Sequence, residues 1–274
     1  MPIRHTFLQN IVPFITTEKG LVPLKSLTGN KAFQSPSQMI DFESNPDALR
    51  KLPLFSALTA SQLTWVAAAI KHRTYPAGAC IVPAGETADG LYVILSGRVR
   101  VVHEDAEGHA LIVADLGAHE FFGEMGLIDS TPCPASIRAV DRCEVIWMPR
   151  KIFIECIEDN AGAALCMLRR SLERLCAAHH KMANLALMNV YGRVARVLLE
   201  NGHETNGEWR VDTGSEQIAA MVGASREMVS RVVKSMIVKG AVRRHKRKLI
   251  VLDRGALAQA SASHRPRQVA TAVE

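Results

Sequence analysis

The chain has 274 residues, 48% of them hydrophobic, and a formal charge of +6 at pH 7. That length bounds it to one large domain or two modest ones, and the basic balance favours a polyanionic partner. No apolar run approaches the ~18 residues of a membrane span, MPIRHTFLQN lacks the apolar core of a signal peptide, and the six cysteines show no C-x-x-C spacing. Membrane insertion, secretion and a structural zinc or iron–sulfur site are therefore not expected; a cytoplasmic protein with free thiols is.

Residues 1–48 read as an N-terminal extension of mixed polarity, with a short apolar piece at Ile11–Ile15. The pattern fits a docked arm and a disordered one equally. From Leu49 a helical entry begins, with Thr59 as N-cap and Leu63, Val66, Ala67 and Ile70 on its apolar face. Short β-like runs follow at Cys80–Val82, Gly90–Leu95, Arg98–Val102, Ala110–Ala114, Ser136–Ala139 and Glu144–Met148. Glycine-cut strands at this spacing predict a small β-barrel or sandwich over 49–158.

The spacing Pro76-Ala77-Gly78-x-x-Ile81-x-x-x-Gly85-Glu86, followed by Leu91–Val101, resembles the β-roll of cyclic-nucleotide-binding domains. The segment Phe122–Leu127 then matches the start of the phosphate-binding cassette. The resemblance places Gly123, Glu124, Met125 and Gly126 at an effector, with Glu124 accepting a hydrogen bond from a ribose hydroxyl. Glycine lets the backbone approach a ligand, and amides at a helix start attract an anion. An unliganded strand-to-helix turn is the alternative. The chain departs from the cyclic AMP binders downstream. Where they carry Arg then Ser it has Cys133 and Pro134, which offer neither a charge-assisted pair nor a hydroxyl. Interactions of that kind are worth roughly 1.5–3 kcal/mol each, so cyclic AMP affinity should fall about ten- to hundred-fold. Arg138, on the next strand, reads as structural. Cyclic di-GMP, another small effector, or no effector are the alternatives; no cofactor is certain beyond such a cyclic nucleotide or dinucleotide effector.

Residues 159–188 form a heptad seam: Leu165, Leu168, Leu172, Leu175, His179, Met182 and Ala186 alternate steps of three and four. This predicts a parallel coiled coil in a homodimer; a helix packed on its own barrel is the alternative. Ala178 and His179 stand where cyclic AMP binders reach the ligand with Thr and Ser. His179 reads either as a polar register-setter or as a sensor of effector or pH. A metal pair with His180 is not expected, because adjacent helical side chains diverge.

Leu187–Asn189 reads as a hinge, with Asn189 capping a helix over Val190–Leu199 and a polar loop over His203–Trp209. Thr213–Met236 has the form of a helix-turn-helix. Thr213 and Glu216 have capping-box spacing, Gly223 serves the turn, Ser225 caps the second helix, and Val229, Val232 and Val233 face inward. Between Arg226 and Lys248 nine cations stand against the single acid Glu227. The string Ser225-Arg226-Glu227-x-Val229-Ser230-Arg231 resembles the recognition helix of the CRP/FNR family of bacterial transcription regulators. By that resemblance Arg226 and Arg231 each take a guanine edge, Glu227 accepts from a cytosine amino group, and the half-site is near TGTGA. Ser230 and Lys234 face outward beside them. Arg244 and Lys246 belong to a cationic wing, Ala241–Val251, that should contact phosphates. Residues 257–274 read as a disordered tail.

The whole is expected to be an α+β protein: an N-terminal β-roll sensor, a long dimerisation helix, and a C-terminal winged helix-turn-helix over 189–256. It should be a homodimeric, effector-controlled transcription regulator that reads palindromic double-stranded DNA and has RNA polymerase as a partner. A constitutive DNA-binding protein with a vestigial pocket is the alternative. No nucleophile with a paired base and no metal site supports an enzyme.

Overall fold

A strand buried on both faces sets the layering of the larger of two units. The computed structural model describes residues 41–262 apart from 108 and 247, with the backbone of two short strands before them. Those strands, β1 (Phe14–Thr17) and β2 (Gly20–Pro23), pair antiparallel within the first unit, Met1–Ile40. The rest of that unit, and with it most of the expected N-terminal extension, lies outside the described residues.

In the second unit, 3-10 turns at Pro46–Lys51 and Pro53–Phe55 lead into α1 (Ala60–Ala69). Thr59 caps it by accepting from Gln62 N at 3.3 Å, while Gln62 Oε1 accepts from Thr59 N at 2.9 Å. Strands β3 (Lys71–Tyr75), β4 (Cys80–Val82), β5 (Gly90–Ser96), β6 (Val99–Glu104), β7 (Ala110–Leu116) and β8 (Phe121–Phe122) follow. Then come α2 (Glu124–Asp129), β9 (Ser136–Ala139) and β10 (Cys143–Pro149). They form two antiparallel sheets, β3-β10-β5-β8 and β4-β9-β6-β7.

Successive strand residues point to opposite faces. On β5, Tyr92 and Ile94 enter the core between the sheets with Val99, Leu116, Ile137 and Val145. Leu91 and Val93 turn the other way and pack on Phe55, Leu63, Val66 and Phe153 of α3 (Arg150–Glu158). Double burial explains the unbroken apolar run in this strand. Each fully covered Leu or Val there contributes roughly 1.5–3 kcal/mol.

Helix α4 (Ala161–Leu187) starts at Asn160, whose Oδ1 accepts from Ala163 N at 2.9 Å. It ends where Met188 turns extended, and Asn189 Oδ1 opens α5 (Val190–Glu200) by accepting from Gly192 N at 2.8 Å. Beyond lie β11 (Gly202–Thr205), β12 (Glu208–Val211), α6 (Ser215–Val222), α7 (Arg226–Val238), β13 (Val242–His245), β14 (Lys248–Val251) and α8 (Arg254–Ala262). The strands order as β11-β12-β14-β13. Val194, Leu198, Ile218, Val222, Val229, Val233 and Met236 form the core beneath them. No helix among the described residues is long and apolar enough to cross a membrane.

Three local expectations change. The polar stretch after α5 is a hairpin, not a loop: Asn206 (φ 53°) and Gly207 (φ 75°) make the left-handed pair that a two-residue turn between twisted strands requires. The Thr213–Glu216 capping box is absent, because α6 starts one residue later with Gly214 at its N-cap and no side-chain cap. The tail is helical up to Ala262, since Leu257 is buried in the C-terminal core and α8 lies along α5. The remainder of the expected tail, from residue 263, lies outside the described residues.

Candidate effector site and nucleic-acid interface

The cassette turn is built by β8 and a glycine. Phe122 pairs with Tyr92 and stacks on its ring at 4.8 Å. Gly123 then adopts φ 93° against β5, where an added Cβ would fall 2.7 Å from the Gly90 carbonyl oxygen. No other residue fits both conditions. The chain enters α2 there, bringing Glu124, Met125 and Gly126 into one turn. Gly126 is buried against Thr87, and Met125 is half exposed.

Glu124 is already engaged. It accepts from Arg174 Nη1 of α4 at 2.9 Å, and its side chain is only 13% exposed. Arg174 also donates to the Phe121 carbonyl and lies over the Phe121 ring at 5.0 Å, while its Nε is buried with no described partner. One turn back, Arg170 Nη2 donates to Glu120 at 2.9 Å. These two arginines were not among the expected site residues. Their i, i+4 spacing, on a face away from the leucine seam, was the available signal.

Cys133 is half-buried. Its N–H donates to the Glu86 carbonyl at 2.8 Å, and burial pushes its thiol pKa up, with Glu124 adding in the same direction. The thiol is neutral and weakly polar, so it offers an anion no charge. Pro134 is exposed. Arg138 does not turn toward the cassette; it donates to Glu104 at 3.1 Å. Ala178 is half-buried one turn beyond Arg174, and His179 is exposed on the seam side of α4. On that seam Leu165, Leu168, Leu172, Leu175 and Met182 are each at least 45% exposed.

The candidate nucleic-acid interface is a helix pair with a tight turn. Gly223 (φ 61°) ends α6, and Ser225 Oγ accepts from Met228 N at 3.2 Å to start α7. Val229, Val233 and Met236 are buried; Val232, expected inward, is half-buried. Ser225, Arg226, Glu227, Arg231 and Lys234 are exposed, whereas Ser230 is half-buried. Arg226 pairs with Glu216 of α6. Hydrogen bonds from its own backbone N–H and the Ser225 hydroxyl lower the Glu227 pKa, keeping it an ionised acceptor.

On the wing, Arg243 pairs with Glu208 at 2.8 Å and Lys248 with Asp212 at 3.0 Å. Arg244 and Lys246 are exposed and have no ion pair among the described residues. One cluster was not expected. Asp105, Glu107 and His109 bring ligand atoms within 4.8 Å of one another between β6 and β7. All three are exposed, and Asp105 Oδ1 is used in the turn, accepting from the backbone of Glu107 and His109.

Residues 72–160 match the family model described as a cyclic nucleotide-binding domain, and 192–260 match a Crp-like helix-turn-helix domain. The chain is 29% identical over 195 residues to the cAMP-activated global transcriptional regulator CRP of Haemophilus influenzae, covering 69% of this chain and 87% of that one. A transcriptional regulator of the crp/fnr family from Eubacterium rectale, described as putative, superposes with a TM-score of 0.68 at 21% identity, over 77% of this chain and 98% of its own. The c-di-GMP responsive regulator CLP of Xanthomonas campestris superposes with a TM-score of 0.63 at 24% identity, over 70% and 99% respectively.

Proposed function

For a chain that belongs to the CRP/FNR family of transcription regulators, we propose the following division of labour. A cyclic nucleotide or dinucleotide in the β-roll controls how two copies of α7 read a palindromic duplex. One observation carries it: a Ser-capped helix exposes Arg226, Glu227, Arg231 and Lys234 along one side while its valines anchor it below. That is the arrangement by which a helix enters the major groove.

Arg226 and Arg231 read guanines bidentately, Glu227 accepts from cytosine, and Arg244 and Lys246 neutralise phosphates. Two protomers associate through the exposed leucines of α4, spacing their recognition helices by about one turn of duplex, ~34 Å. A DNA ligand assigns the protein's work to the cytoplasm, with RNA polymerase its partner at promoters.

Effector binding shifts a population of reader orientations. The Haemophilus relative is cAMP-activated and the Xanthomonas neighbour is c-di-GMP responsive. With Cys133 and Pro134 in the cassette, cyclic AMP lacks its usual anion partners, which favours a ligand that places its phosphates elsewhere. Selection from a random duplex library should enrich two inverted half-sites; recovery of no enriched sequence would overturn the reading. Calorimetry against cyclic mono- and dinucleotides should give heat with at least one. No heat with any, together with unchanged operator affinity, would leave a constitutive regulator instead.

A further inference from the structure

We propose that Arg100 is the positioning residue that joins the sensor sheet to the helix-turn-helix, gripping Asp115 on one side and Gln217 on the other. The inference rests on the regulator reading above, and deepens it by naming where sensor and reader are fastened. Arg100 on β6 and Asp115 on β7 are direct cross-strand partners. The guanidinium is bidentate on the carboxylate, Nε to Oδ1 at 2.6 Å and Nη2 to Oδ2 at 3.0 Å, with its side chain only 16% exposed. This is the strong, directional form of the pair. Asp115 therefore fixes the plane of the guanidinium.

Gln217 belongs to α6, in the reader. With its amide oxygen turned inward, that oxygen accepts from Arg100 Nη2 at 2.8 Å and Nη1 at 3.1 Å. A guanidinium has five N–H donors, so holding the carboxylate leaves enough for the amide.

The surroundings reinforce the junction. Lys181 of α4 donates to the Ile112 carbonyl on β7. At the other side of β7, Leu111 closes on the turn between α6 and α7. An added Cβ on Gly223 would lie 3.4 Å from Leu111 Cδ1 and 3.1 Å from Leu185 Cδ2 of α4. Sheet, dimerisation helix and reader thus meet along one strand. Ile218 and Val222 pack α6 against Val229 and Val233 of α7, so α6 and the recognition helix share one core and move as a body. Fixing Gln217 fixes the recognition helix, although Arg100 belongs neither to the cassette nor to the exposed reading face.

Exchange is read on the full chain without DNA or effector, and operator affinity is measured separately. Hydrogen exchange is followed in wild type, Gln217→Met, Arg100→Met and the double variant. Gln217→Met leaves the Arg100–Asp115 pair intact, so it reports the junction even where Arg100→Met disturbs the sheet. Exchange across Ser215–Val222 should quicken about five- to tenfold in Gln217→Met, the scale of a typical coupling between sites. Exchange in β6 and β7 should stay at the wild-type rate. The double variant should be no faster in α6 than Arg100→Met alone, and operator affinity should fall by a similar factor in both single variants. Wild-type exchange of α6 in Gln217→Met would overturn the proposal, as would independent, multiplying effects in the double. Because exchange is read without DNA, a wild type that binds no operator would count against the regulator reading, while the exchange rates still judged the junction.

Discussion

Arg231 stands on the outer side of α7 with no ion pair among the described residues, whereas Arg226 shares a contact with Glu216. The two expected guanine readers therefore start from different states. On the proposed reading Arg231 would meet the groove free, whereas Arg226 would first leave Glu216. Both members of that pair are well exposed, so releasing it costs only about 0–1 kcal/mol. Replacing Arg231 with Ala should remove roughly 1–3 kcal/mol of discrimination at a single guanine and leave non-specific affinity nearly unchanged. Competition between the selected duplex and one substituted at that guanine measures it. Equal discrimination by wild type and variant would show that Arg231 reads no base. The sensor shows the same dependence on neighbours. The turn carrying Glu124 was legible from its F-G-E-M-G-L setting, but the pairing with Arg174 was not, because the partner lies 50 residues away on another element.

Elements were legible where a single physical signal set them. Glycines punctuate the strands of the β-roll, and Thr59, Asn189 and Ser225 each carry the side-chain cap that starts a helix. Elements held by partners alone were not. Lys71–Tyr75 is polar and charged, and is a strand because β10 pairs with all five of its residues. The tail looked disordered for want of apolar residues, yet the single buried Leu257 anchors α8 to α5. The 3-4 spacing along α4 was legible because it is a property of the helix itself, and its leucines are exposed. Covering them in a parallel pair is the expected use. Leu172→Lys combined with Leu175→Lys places four cations across the seam of such a pair. The variant should sediment as a monomer and lose operator affinity, while helical content and urea midpoint stay near wild type. A dimer that survives both changes would assign the seam another role.

At the scale of the whole molecule, the two cores differ in their buried thiols. Cys143 on β10 and Cys156 on α3 are covered, and burial pushes each pKa from 9.0 up to about 11. All six cysteines fall at or before Cys176, so the core beneath the reader has none. An acid whose folded pKa is raised holds its proton in the native state after the unfolded chain has lost it. The native state then binds more protons than the unfolded state, so stability falls as pH rises. The contribution is intact below about pH 9 and is lost between pH 9 and about 11. Its steepest slope is about 1.4 kcal/mol per pH unit for each thiol. Lys181 acts in the opposite sense, because burial lowers its pKa and stability tied to it rises with pH; burial also raises Cys133, Cys166 and Tyr92, which act in the same direction as the two thiols. Urea unfolding should therefore show a midpoint that holds steady from pH 7 to 8.5 and declines by pH 10. The decline should appear in variants that keep only Trp147, in the sensor, and should be small in variants that keep only Trp209, in the reader. Replacing Cys143 and Cys156 with Ala should flatten the sensor's decline. An equal fall at both tryptophans, unaffected by that replacement, would mean that the two cores unfold as one and that the alkaline loss has another origin.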